Sequence, residues 1–320
     1  MGLLSGDIQV QPGVLHALIE FMQCAASPVA TSDIQRLMQP ESLTAINNGK
    51  APPIDLVPKG LHVCCELGLI TEANETWQLG SKAAAILPQR LYCDLPKLLR
   101  SAILAPDESM RPAETRPISH ELTLALAWFL AQDAWSPSHR FASGVDSWEE
   151  RQLGQFGISP VHVNPTKMVP LRRWAIYLGL ATADPIDNEF VIPDPTIAVK
   201  DFIQTMDFDI EGLSAASFVE ALSEHFSVFD LGQTRRTATE HLLKGQLPWE
   251  RERDEKVSPS LSLALLRLER GGFVLLKDEA DTPPSKRRLL IRPDHSTRVV
   301  DRILPGKTFM KVGAHDDRLV

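Results

Sequence analysis

Apolar residues recur at helical spacing at three places along the chain, and each time a glycine stop is followed by a short apolar run, a polar turn and a second apolar run. In the first of these regions Val14, Leu15, Leu18, Ile19 and Met22 share one helix face. Ser27-Pro28 breaks the helix. Thr31-Ser32-Asp33 then offers an N-cap and an acidic first turn to a short helix with Ile34, Leu37 and Met38 as its apolar face, ended by Pro40. A third helix is predicted from about Asp55 through Leu61, Cys64, Cys65 and Leu67, with Gly68 as its stop. Leu69-Ile70, a polar tip from Glu72 to Glu75, and Trp77-Gln78-Leu79 read as strand, turn and strand. Helix, short helix, helix, hairpin is the order of a winged helix-turn-helix. Three short helices leave one side of a core open, and two strands close it.

The same ending returns at Leu178-Gly179-Leu180, with a polar turn from Asp184 to Asn188 and the strand Phe190-Val191-Ile192. It returns again where a helix carrying Leu261, Leu265, Leu266 and Leu268 stops at Gly271-Gly272. There Phe273 to Leu276 is predicted as a strand, Pro283-Pro284 as the turn, and Leu289 to Ile291 as the return strand. The stops at 68, 179 and 271 lie 111 and 92 residues apart, too irregular for a solenoid but suited to three modules on variable linkers. Upstream helices are expected for the later modules as well. Ser119 opens an apolar helix to about Gln132, Ser147-Trp148-Glu149-Glu150 is a capping box, Phe218, Leu222 and Phe226 share a face, and Arg235 to Leu243 forms a short helix. The predicted fold is mainly α with small β-hairpins (α+β), as tandem winged-helix-like modules. Their expected bounds are 1–98, 99–205 and 206–305, with a tail from 306 to 320. A generic helical protein with a few hairpins is the alternative.

Composition changes this picture little, and charge changes it more. With 320 residues, 43% of them hydrophobic and 23% charged, the chain has material for a core in each of two or three domains. Its four cysteines, Cys24, Cys64, Cys65 and Cys93, have neither disulfide-scaffold nor zinc spacing, and read as reduced, buried thiols of a cytosolic protein. Asp7 interrupts the apolar start, so no signal peptide is expected. The apolar run from Leu122 to Ala131 is too short to span a bilayer. The net charge is −8, which argues against nucleic acid as the partner of the whole surface. The charge is uneven, however: −2 over residues 1–100, −11 over 101–282 and +5 over 283–320.

No motif for catalysis stands out. Gly-rich phosphate loops, the G-x-S-x-G elbow and HExxH are all missing. His62, Cys64 and Cys65 do not converge on one helix face as metal ligands would. Asp254-Glu255-Lys256 lies in a charged linker, and Asp194 with Lys200 lacks a second carboxylate at Ala198, so neither makes a nuclease site. The expectation is a non-enzymatic protein with no metal, cofactor or small-molecule ligand, and no membrane partner. Nucleic acid would need basic helices and wings. The first module offers Lys59 and His62 but an acidic wing. The second has Lys167, Arg172 and Arg173 beside Asp184, Asp187 and Glu189. In the third, Lys286, Arg287 and Arg288 in the wing, Arg267 and Arg270 on the helix, and Arg292, Arg298 and Arg302 beyond it make the candidate site for double-stranded DNA. Trp77, Trp174 and Phe273 at the helix–wing junctions read as core rather than as base-stacking platforms.

The segment LHVCCELGLITEANETWQLG, residues 61–80, resembles the start of accessory proteins of bacterial anti-phage defence islands, and in particular the DpdG-type family of the cluster that inserts 7-deazaguanine derivatives into DNA. The likeness lies in a helix ending in E-L-G-L-I before a wing, and covers about a quarter of the chain. It implies a bacterial cytoplasmic protein working beside DNA-modifying or restricting enzymes, and brings no catalytic residues. The expectation is then a DNA-associated subunit of a multiprotein system. The alternatives are a pure protein-interaction scaffold and a transcription regulator, the last disfavoured by the apolar third helix of the first module (Leu56, Val57, Leu61, Val63, Cys64).

Overall fold

The opening apolar stripe becomes helix α1 (Pro12–Cys24), with Pro12 in its first turn and Leu15, Leu18, Ile19 and Met22 buried. The computed structural model describes residues 3–4, 10–25, 28–39, 56–106, 117–135, 165–183, 191–206, 211–240, 256–279, 282–286 and 288–309. The chain is mainly helical with small antiparallel sheets, the α+β class expected, and divides into two units: 1–103 with 109–122, and 104–108 with 123–320.

In the first unit α1 is followed by β1 (Val29–Ala30), α2 (Thr31–Met38), α3 (Leu56–Glu66), β2 (Ile70–Ala73), β3 (Thr76–Leu79), a short α4 (Ser81–Ala84) and α5 (Leu91–Leu104). The predicted hairpin is β2–β3, and β1 adds to β3 so that the sheet order is β1-β3-β2. Asn74 and Glu75 at its tip have φ of 53° and 60°, the pair of left-handed residues that a two-residue turn needs to match strand twist. Thr31 does not cap α2 with its side chain. The N-cap is Ala30, and Thr31 Oγ1 accepts the indole N–H of Trp77 at 2.8 Å, which ties β3 to α2. Leu37, expected on the apolar face, is exposed, and of the four cysteines only Cys64 is buried. Helix α5 buries Leu91, Leu95, Leu99 and Ile103 at four-residue spacing. The module boundary expected at 98–99 falls inside it.

The second unit takes up α6 (His120–Leu130) from Thr123 onward. It continues through α7 (Pro165–Tyr177), β4 (Ala181–Ala183), β5 (Val191–Pro193), α8 (Thr196–Thr205), β6 (Leu213–Ser214), α9 (Ala215–His225), α10 (Gln233–Glu240) and α11 (Pro259–Arg270). Strands β7 (Val274–Lys277), β8 (Arg288–Ile291), β9 (Thr297–Val300) and β10 (Arg302–Pro305) complete it. Of the expected strand Phe190-Val191-Ile192, the last two residues lie in β5, paired with β4. The expected turn from Asp184 to Asn188, Phe190 and the capping box at Ser147 lie outside the described residues, as do Asp254 and Glu255.

The third hairpin differs from expectation. Strand β7 does not return through Leu289–Ile291. It pairs with β10, from Val274↔Pro305 to Lys277↔Arg302, and Leu289–Ile291 lies in β8, which pairs with β9. The physical reason is cover. Leu290 and Ile291 are both buried, so β8 needs a helix surface rather than a half-exposed hairpin edge, whereas β10 alternates buried and half-buried as a β7 partner should.

With that correction, α8-β6-α9-α11-β7-β10 repeats α1-β1-α2-α3-β2-β3, and the strand order β6-β10-β7 repeats β1-β3-β2. Helix α10 and the β8–β9 hairpin are insertions. The helix stops agree atom for atom. Gly68, Gly179 and Gly272 have φ of 69°, 68° and 72°. The next residue donates its N–H to the carbonyl five back: Leu69 to Cys64, Leu180 to Ala175, Phe273 to Leu268, at 2.8, 2.8 and 2.9 Å. The return strand then closes on that residue, through Gly80 to Leu69, Asp194 to Leu180 and Gly306 to Phe273. A side chain at 80 or 306 would strike the carbonyl oxygen of Gly68 or Gly272. The second copy has Asp194 at that place.

Candidate nucleic-acid interface

Whether the third copy can hold DNA depends on what surrounds α11. Its N-cap, Ser258, donates both its N–H and its hydroxyl to the buried Asp230, at 3.0 and 2.8 Å. Asp230 in turn faces Arg235, whose Nη1 donates to the Ala127 carbonyl at 2.8 Å. Ser260 donates to the Leu130 carbonyl at 2.6 Å. On the other side Ser262 Oγ accepts the N–H of Ile291 at 3.0 Å, and Val257 N–H reaches the Leu289 carbonyl at 3.0 Å. Every residue from Pro259 to Leu265 is buried. A recognition helix enters the major groove by its outer, N-terminal part, and here that part is covered by the chain's own β8–β9 hairpin.

The eight predicted cations are therefore not one surface. Arg298 makes a two-point pair with Glu269 on α11 (one bond at 2.9 Å) and donates to the Leu276 carbonyl at 3.0 Å, so it fastens the hairpin to the helix. The Glu269 carboxylate holds its guanidinium protonated more firmly than usual. Arg288 is buried. Arg267 is bound to Asp194, whose other oxygen receives the N–H of Thr196, the first residue of α8, at 3.2 Å; Thr182 donates to the same carboxylate at 2.8 Å. Asp194 is thus a structural joint, and Lys200 stacks on the Phe273 ring at 4.2 Å. Arg302 donates to the Glu211 carbonyl at 2.5 Å. Lys286, Arg270 and Arg292 are exposed. Arg287 lies outside the described residues.

Lys286 and Arg302 are brought together on an open cleft of about 590 Å³, beside Ser214 and Ser217 at the start of α9. Glu279 and Asp301 line the same cleft, so its charges balance and it does not form a groove for a polyanion. Near the hairpin tip, hydrogen bonds from Ser296 hold the Asp294 carboxyl below its ordinary range, which keeps a negative charge two residues from Arg292. In the first copy α3 is open, but it shows His62, Cys65 and Glu66 to solvent. Among the described residues no group of three His, Cys, Asp or Glu side chains is placed to hold a metal ion, and no helix is long and apolar enough to cross a membrane.

These features define a class first: a mainly helical protein with a repeated helix-and-hairpin unit, whose prominent polar clusters serve packing. A family model described as DpdG-like matches residues 1–282, and the chain belongs to the DpdG-like family. The likeness first visible at residues 61–80 therefore extends over most of the sequence, and the family ties the chain to a DNA-modification system. No curated protein and no solved structure matches the chain.

Proposed function

We propose that this chain is a non-catalytic, DNA-associated subunit of a bacterial defence or DNA-modification complex. Its repeated units are winged-helix modules that chiefly contact other proteins, and the third copy grips DNA by phosphate. The supporting observation is the pairing of a covered α11 with exposed Lys286, Arg270 and Arg292 in the same copy. A covered helix reads no base edges, whereas exposed cations still meet backbone phosphates. This favours binding without sequence preference and disfavours a transcription regulator. A pure protein scaffold is the second reading, favoured by the net charge of −8.

The test is fluorescence anisotropy of the full chain with short duplexes of unrelated sequence. Three phosphate contacts weaken binding about forty-fold between roughly 50 and 200 mM salt. The parent is expected to show this slope on every duplex, and a Lys286→Ala, Arg270→Ala, Arg292→Ala triple variant to lose it. Equal binding by parent and variant would overturn the phosphate grip, and no binding by either would leave the scaffold.

A further inference from the structure

The repeat lets equivalent strand edges be compared. In the third copy β7 is an edge of its sheet. Bonded and non-bonded pairs alternate along its ladder with β10, and the N–H and C=O of Leu276 point away from β10. Both groups are met. Glu269 of α11 accepts the N–H at 3.3 Å, and Arg298 of β9 donates to the carbonyl at 3.0 Å while it pairs with Glu269. Counting from the glycine stops, Leu276 corresponds to Glu72 on β2, and Glu269 to Cys65 on α3. The ladder has the same phase in the first copy, since Gly80 donates to Leu69 as Gly306 does to Phe273. The N–H and C=O of Glu72 therefore also point outward, and among the described residues nothing meets either of them. Leu276 is buried, whereas Thr71, Glu72 and Ala73 are all exposed.

We propose that the outer edge of β2 is a docking site for an extended, basic segment of a partner protein, which pairs with Glu72 as an added strand. Two observations fix the partner's chemistry. The closed edge shows what the position takes: in the third copy the outward carbonyl is met by an arginine carried on a strand. The charge around the open edge has the sign that such a residue needs. Glu66 at the end of α3, Glu72 on β2 and Glu75 in the turn are exposed, and among the described residues none of them has an ion pair. No lysine or arginine lies between Glu66 and Ser81. Edge strands are commonly blunted by lysine, proline or a bulge, and β2 has none of these. Its carboxylates repel a second copy of the same edge and attract a segment bearing Lys or Arg. Main-chain bonds to Glu72 then supply affinity, and the partner's cations supply choice. The site rests on the reading of these modules as protein contacts and not on the phosphate grip of the third copy; duplex binding can fail while the β2 edge stands, and the reverse.

The experiment places p-benzoylphenylalanine at position 71, and separately at 73, of the full chain in its own host cell, and identifies the photo-adduct by mass spectrometry. The expected adduct is one protein segment of net positive charge, obtained from both positions. That segment, synthesised as a peptide, is expected to slow hydrogen exchange of the Glu72 amide in the parent. Glu72→Pro removes only an outward N–H, a place where an edge strand tolerates proline, and is expected to weaken the peptide roughly ten-fold, the cost of leaving its carbonyl unsatisfied. A Glu72→Gln, Glu75→Gln double variant keeps the backbone donor and is expected to flatten the salt dependence of binding, which keeps the test decisive where Glu72→Pro fails to fold. An adduct on nucleic acid, on a second copy of this chain or on a segment without net positive charge would overturn the proposal, as would no adduct at either position. So would peptide binding that leaves the Glu72 amide unprotected, a folded Glu72→Pro that binds as the parent does, or a salt dependence unchanged in the double variant.

Discussion

Helices α7 and α11 occupy the same place in two copies of one unit and have opposite surroundings. Both stop at a left-handed glycine with the same backbone hydrogen bond, and both feed a short antiparallel strand pair. Yet α11 is buried from Pro259 to Leu265 under an inserted hairpin, while on α7 Val169, Arg173 and Ile176 are exposed. The difference teaches that a repeated backbone does not repeat a function. In the third copy the insertion between β7 and β10 has converted a potential recognition surface into core, and the arginines that looked like a DNA grip became its fasteners. Charge in the sequence is therefore a poor guide until its partners are known. Arg298 and Arg267 carry the same guanidinium as Arg270, but each already holds a carboxylate.

The comparison breaks most sharply at the hairpin. Leu290 is 1% exposed, so Leu290→Ala is expected to destabilise the second unit by about 2–5 kcal/mol, the usual cost of a core truncation. The equivalent truncation on the open helix, Ile176→Ala, is expected to stay within about 0.5 kcal/mol. Urea unfolding of the two variants measures both. Equal losses would mean that α7 is covered as α11 is. Next in size is Asp194→Ala. It removes the acceptor of the Thr196 N–H at the start of α8 and leaves Arg267 without its carboxylate, but Arg267 is half-exposed, so the loss is expected at about 2–3 kcal/mol rather than the full cost of a broken buried pair. A change below about 0.5 kcal/mol would show that Asp194 is not the joint between the second copy's strands and α11.

Much of this was legible in the sequence. The three glycine stops, the first hairpin and the helices over 12–24, 31–38, 56–66 and 259–270 follow from period and punctuation. What was missed has identifiable causes. Helix α5 was hidden by Pro96, although Leu91, Leu95, Leu99 and Ile103 keep strict spacing around it. Helix α8 carries Ala198, Val199, Phe202 and Ile203 as a buried face, but Asp194 and Lys200 drew attention to chemistry instead. The β7–β10 pairing could not be read at all, because it skips a complete hairpin, and nearest-in-sequence pairing is the default expectation. The candidate site suffered most. Ion pairs such as Arg267–Asp194 and Arg298–Glu269 join residues distant in sequence, and no local pattern announces them.

The smallest expected effect separates the two copies by pH. Helix α7 contains no histidine, whereas α9 of the third copy ends in His225, whose ring lies 5.3 Å from Phe202 and 4.4 Å from Phe226. Loss of hydration among these rings lowers its pKa below the ordinary 6.5. Below that ordinary value the unfolded chain binds a proton that the folded chain resists, so stability rises with pH from the folded pKa up to about 6.5 and falls as the solution is acidified through that window. His225→Gln is expected to flatten this part of the pH–stability curve, while Ile176→Ala leaves its slope as in the parent. An unchanged slope in His225→Gln would show that the aromatic cluster of the third copy does not sense protonation and that its packing differs from α7's surroundings in cover alone.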